Sequence, residues 1–172
     1  MKAPRLSLTE WAVLAVLAEQ PAHPFAVARL LGQDGELGRV LTVRRPLVYR
    51  AAERLATAGL CRPDHTERGE GGPERTVYRV TSAGRRALAA WLAEPVTRVR
   101  DLRLEFLLKV RLTRRRGRSP LPLVRAQRAA LGPRLEALAE ARSAADEVAL
   151  WRRHSARAAR AFLEELEARR DE

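Results

Sequence analysis

A helical run closed by glycine and followed at once by a glycine-rich hairpin limits this chain more than any other feature. Leu47, Val48, Ala51, Leu55 and Ala58 recur at helical spacing, and Gly59 ends the run. Pro46 falls in the first turn, where its missing N–H does no harm. Residues 60–62 and 76–80 then read as two short strands. The charged stretch 64–74 between them holds Gly69, Gly71, Gly72 and Pro73, which predicts a hairpin with a long flexible tip.

The flanking segments complete a recognisable order. Ser7 stands three residues before Glu10, the spacing of a capping box, and opens a helix over about 7–19 with a broad apolar face. Pro21 and Pro24 frame a turn, and a short second helix follows through Phe25, Val27, Ala28, Leu30 and Leu31, ended by Gly32 and Gly35. Residues 33–43 read as loop. After the hairpin, Thr81 or Ser82 caps a fourth helix over about 82–93, with Leu88, Trp91 and Leu92 on its buried side. Helix, helix, helix, hairpin, helix is the order of a winged helix-turn-helix.

Pro95 marks the expected boundary between a winged domain, 1–95, and a helical domain, 96–172. The second part predicts a helix over 101–113, a basic linker over 114–119, and two long helices over 121–142 and 146–169, the first kinked or interrupted at Pro133. Leu131, Leu135 and Leu138 mark the seam of the first long helix. Val148, Trp151, Ala158, Phe162 and Leu166 mark that of the second. The fold class is therefore mainly α with a small β-hairpin: a winged helix-turn-helix and a C-terminal arm of long helices for dimerisation.

Composition narrows the function. The formal net charge of +12 favours a polyanionic partner. Residues 1–95 carry 14 Lys and Arg against 10 Asp and Glu, and residues 96–172 carry 19 against 11, so charge alone does not locate a binding face. GC-rich coding would also raise arginine content. Cys61 is the single cysteine, which excludes an intramolecular disulfide framework and a cysteine-rich metal site. His23, His65 and His154 lack ligand spacing, and no acid–base pair stands out, so neither an enzyme nor a metal or other cofactor is expected. No apolar run reaches a membrane span, and the N-terminus lacks a secretory pattern, so the expectation is a cytoplasmic protein.

The residues resemble the PadR family of bacterial transcriptional regulators. The likeness is carried by Tyr49, Leu55 and Gly59-Leu60, by the stretch 17–25, and by Gly71-Gly72-Pro73 with Arg75, Tyr78, Thr81 and Gly84. It covers about residues 6–112. The resemblance implies a dimeric repressor whose C-terminal helices pair two subunits and whose DNA is released by a small molecule or other signal. Two positions depart from the family's pattern. Pro24 stands where Gly is common, and Arg44-Arg45 stand where a small capping residue is usual.

The third helix of such a fold lies in the major groove with its N-terminal residues on base edges. Arg44, Arg45, Arg50 and Arg54 are the candidate readers, because an Arg fork binds guanine or phosphate bidentately. Tyr49 either donates to a phosphate or packs beneath the helix. Arg68 and Arg75 are the candidates on the hairpin, although Glu67, Glu70 and Glu74 leave its tip nearly neutral. Arg79 would serve a structural ion pair instead. Trp151, Phe162, Leu163 and Leu166 are too apolar for a solitary helix and are the candidate dimer contacts. Trp11, Trp91 and Trp151 are either walls of an effector pocket or plain core or interface filling, and the 114–118 arginine run either touches flanking phosphate or is a solvated linker. The expected partners are double-stranded operator DNA and a second copy of the chain. The alternatives are a winged-helix module for protein interaction and a nucleic-acid binder indifferent to sequence.

Overall fold

The structure is a computed structural model, and it describes residues 6–68, 74–141 and 146–169. It falls into two compact units, Met1–Leu92 and Ala93–Glu172.

In the first unit the opening helix, α1 (Leu8–Glu19), starts at the capping box. The Glu10 carboxylate accepts from the Ser7 N–H at 2.6 Å, and the Ser7 hydroxyl accepts from the Glu10 N–H at 3.3 Å. Every residue from Glu10 to Ala18 is buried, so α1 is enclosed on all sides rather than lying on the surface. The second helix, α2 (Pro24–Leu30), is capped by His23, whose Nδ1 accepts from the Ala26 N–H at 3.2 Å. Pro24 sits in the first turn, where no N–H is required, so this departure from the family's pattern fits the local geometry.

The third helix, α3 (Arg45–Thr57), buries Val48, Ala51, Ala52 and Leu55 and packs on α1 and α2. Gly59, with φ +70, ends the run in the left-handed region that glycine adopts without strain. The hairpin strands β1 (Cys61–Arg68) and β2 (Glu74–Val80) pair antiparallel from Cys61 opposite Val80 to Arg68 opposite Glu74. Both strands run further than the sequence suggests. Cross-strand charge pairing accounts for the extension: Arg79 grips Asp64 with bonds of 2.7 and 2.9 Å, and Glu67 faces Arg75. Residues 69–73, the expected tip, lie outside the described residues. Ala22 and Tyr78 exchange two backbone bonds, tying the α1–α2 link to β2.

The fourth helix, α4 (Ser82–Ala93), starts where the Thr81 hydroxyl accepts from the Gly84 N–H at 3.1 Å. A Cβ at Gly84 would stand 2.1 Å from the Leu60 carbonyl oxygen, so only glycine allows this approach. Leu88 and Trp91 are buried as expected, and Leu92 is half-buried.

The second unit opens on a 3-10 turn (Val99–Leu102) and a helix, α5 (Glu105–Arg115). The helix starts later than expected and takes in Arg114 and Arg115, so the basic linker shrinks to the turn around Gly117. The long helices are α6 (Leu121–Ala139) and α7 (Glu147–Ala168), the latter capped by Asp146. Pro133 lies inside α6, which continues through it. The two form an antiparallel hairpin. Glu167 pairs with Arg125 and Arg128 at one end, and Arg157 Nε donates to the Ala139 carbonyl at 3.1 Å at the other.

The seam of α7 differs from the expected one. Ala156 and Leu163 are buried in the unit's core with Phe106, Val124, Leu131 and Leu135, while Ala159 and Leu166 pack at its edge. Val148 and Trp151 instead face outward. The inner stripe thus alternates alanine and leucine, Ala156 and Ala159 with Leu163 and Leu166, while Trp151, the largest residue of α7, falls on the other side. Gln127, fully buried, accepts from the Val96 N–H at 2.8 Å and donates to the Val96 carbonyl at 2.9 Å.

Candidate nucleic-acid interface

The start of α3 breaks a local rule of helix stability. Arg44 is the N-cap and gives no side-chain cap, and Arg45 follows it at the first helical position. No acidic residue stands in the first turn. The N-terminus of a helix carries the positive end of its dipole, so cations there cost about 0.3–1 kcal/mol each. Pro46 lessens the capping deficit by removing one orphan N–H. Both arginines are exposed, as is Arg50 one turn on.

Arg45 is held by two rings. Its guanidinium carbon lies 4.6 Å from the centroid of Phe25 and 5.7 Å from that of Tyr49. Tyr49 is half-buried, between its two expected roles. The guanidinium carbon of Arg75 lies 5.2 Å from the same Phe25 centroid. The beginnings of α2, α3 and β2 thus meet at one ring. Arg54 is turned toward α1 and reaches Glu10 Oε1 at 3.4 Å, yet its side chain stays 78% exposed. The side chain of Arg68 lies outside the described residues.

Sequence reasoning passed over Phe25 and His23. Phe25 looked like ordinary core, and histidine is not among the usual N-caps. Their signal was local, since His23 stacks beside Phe25 with centroids 5.9 Å apart.

The hairpin carries its own charge network. The Arg79 guanidinium holds the Asp64 carboxyl down to about 2. His65 lies 3.1 Å from Glu67 and 3.2 Å from Asp64. Hydrogen bonding to Glu67, then to Asp64, raises its pKa above the ordinary 6.5. Cys61, the first residue of β1, is buried with its Sγ 3.5 Å from the Ala52 carbonyl, and burial pushes its thiol up to about 11. A thiol so placed stays protonated near neutral pH. Among the described residues no cluster of His, Cys, Asp and Glu could hold a metal ion, and no helix is long and apolar enough to cross a membrane.

The tryptophans separate. Trp11 and Trp91 are buried and stacked on each other. Trp151 is 72% exposed and, with Phe162, lines an open groove of about 1130 Å³ within the second unit. Of the expected dimer contacts, Leu163 is only 1% exposed and belongs to the chain's own core, with Leu166 packed against it. The α6–α7 hairpin uses both residues internally.

The first unit is a winged helix-turn-helix with a cationic third helix. Residues 13–90 match the profile of the transcriptional regulator PadR-like family. A family of transcriptional regulators agrees with a reading that assigns no catalysis. The chain is 30% identical over 89 residues to the Mycobacterium tuberculosis protein named "Probable transcriptional regulator Rv1176c". That match takes in 52% of the chain and 46% of the relative, so the chain spans about half the length of the curated relative it matches. The crystal structure of Bacillus subtilis PadR in complex with operator DNA aligns over 94% of this chain and 96% of that one, at 17% identity and a TM-score of 0.50, a likeness of fold. A PadR-like transcription factor from Bacteroides fragilis aligns over 47% of this chain and 73% of that one, with 22% identity and a TM-score of 0.39.

Proposed function

We infer that this chain is a homodimeric, sequence-specific DNA-binding transcriptional regulator of the cytoplasm, acting as a repressor that a small molecule or other signal releases. The observation that carries the reading is the uncapped, doubly cationic start of α3. A helix whose first turn sacrifices stability for exposed arginines is built for an anion. In a winged helix-turn-helix that turn is the one that meets DNA.

In this reading Arg44, Arg45 and Arg50 read base edges or clamp phosphate, and Tyr49 steadies Arg45. Arg75 adds a contact from the hairpin. Arg54 acts at the margin, since its guanidinium already leans on Glu10. Residues 1–95 form the DNA-binding domain and 96–172 the dimerisation domain. The dimer face is the outer stripe of α7, with Trp151 and Phe162 at its centre, because an apolar patch of this kind is normally covered. Pairing two winged domains raises affinity through effective concentration. Repression and release by a signal rest on the family resemblance.

Selection from a library of randomised duplexes tests the reading. The expected result is enrichment of a two-fold symmetric site whose half-sites lie about 10 base pairs apart. Recovery of unenriched sequence would contradict it.

A further inference from the structure

Phe25 carries none of the charge of this surface, yet two of its cations converge on it. Arg45 comes from the start of α3 and Arg75 from β2, and both guanidiniums lie over the one ring, at 4.6 and 5.2 Å. The negative face of an aromatic ring attracts guanidinium groups and limits the rotamers of two long side chains. Two like charges held at one ring also repel each other. An anion within reach of both would relieve that repulsion, and arginine forks match the oxygens of a phosphate. The ring is itself fixed. It stacks beside His23, and the His23 imidazole caps α2.

We propose that Phe25 is a positioning residue for DNA binding: its ring sets Arg45 of the third helix and Arg75 of the hairpin at a fixed separation, so that both engage the same nucleic-acid backbone. This rests on the DNA-binding reading above. Phe25 acts through the two arginines and not by reading bases. Its loss therefore weakens binding to any duplex, whatever the sequence.

The test is anisotropy with a labelled duplex of random sequence, at about 50 mM salt, where nonspecific binding is strong. Phe25→Leu keeps apolar bulk and removes the ring, and Phe25→Tyr keeps the ring. Each is made in the wild-type chain and in an Arg45→Ala/Arg75→Ala background, with thermal melts to confirm folding. Phe25→Leu is expected to weaken binding about tenfold, and Phe25→Tyr to stay within about twofold of wild type. In the double-alanine background Phe25→Leu has no further effect. An unchanged affinity for Phe25→Leu would overturn the proposal, as would an equal loss in both backgrounds, the mark of a merely structural role. A wild-type chain that binds no duplex at this salt would overturn the DNA-binding reading itself, and this inference with it.

Discussion

The indole rings of Trp11 and Trp91 lie parallel, 5° apart, with centroids 4.9 Å from each other. They join α1, the enclosed helix of the first unit, to α4, its last. Each ring fills space the other would leave open. Trp91→Ala should therefore cost about 3–5 kcal/mol of stability in a urea titration, by removing a large buried ring. Trp91→Phe should cost clearly less. A loss under about 1 kcal/mol for Trp91→Ala would show that the stack closes nothing.

Stability and function should oppose each other at Arg44. Serine there would supply the cap that arginine does not and would remove a cation from the positive helix end. Arg44→Ser is expected to raise stability by about 1 kcal/mol while weakening DNA binding. Thermal melts and anisotropy on the same preparation check both halves. A destabilised Arg44→Ser would mean that the arginine helps to hold α3.

Arg54 gives a contrasting case. Its pair with Glu10 is largely solvent-exposed at the arginine end, so Arg54→Ala should change stability by less than about 1 kcal/mol. A larger loss in chemical denaturation would make Arg54 a structural residue.

Hairpin stability should depend on pH in two directions. Asp64 has a folded pKa of about 2 against an ordinary 3.8, so its pairing with Arg79 helps above 3.8 and is lost as pH falls through about 2. The pKa of His65 is raised, so its contribution is full below 6.5 and fades as pH rises through the folded value. Both contributions are present between 3.8 and 6.5. Proton NMR of the His65 ring should show a midpoint above 6.5 that falls in Glu67→Gln and, by less, in Asp64→Asn. A midpoint indifferent to both substitutions would refute the network.

The two sides of α7 should respond differently. Leu163→Ala removes buried core and should cost about 2–5 kcal/mol. Trp151→Glu alters an exposed side chain and should leave the fold intact while shifting sedimentation from dimer to monomer. If Trp151→Glu leaves the sedimentation coefficient unchanged, the dimer face lies elsewhere.

The first unit was largely legible because its signals are local. Ser7 with Glu10, Pro46 and Gly59 mark element ends through neighbours a few residues away. The hairpin was read too short because Asp64, Glu67 and Arg68 look like loop residues, and their strand pairing depends on charges across the sheet. On α7, Trp151 drew attention to the wrong side. The inner stripe is built on Ala156 and Leu163 with Ala159 and Leu166 beside them, and the two alanines carry little hydrophobic signal. The meeting of Arg45 and Arg75 at Phe25 was hidden because it joins three elements that only the folded chain brings together.

The central claim is that α3 reads DNA sequence through its first turn. Its most direct test is anisotropy at about 150 mM salt, where nonspecific binding is weak, comparing the duplex recovered by selection with a scrambled one. Wild type and Arg44→Ala/Arg45→Ala are run side by side. The account predicts a preference of about a thousandfold or more for the selected duplex, largely lost in the double variant. Equal affinity of the wild type for both duplexes, or a preference that survives in the variant, would contradict it.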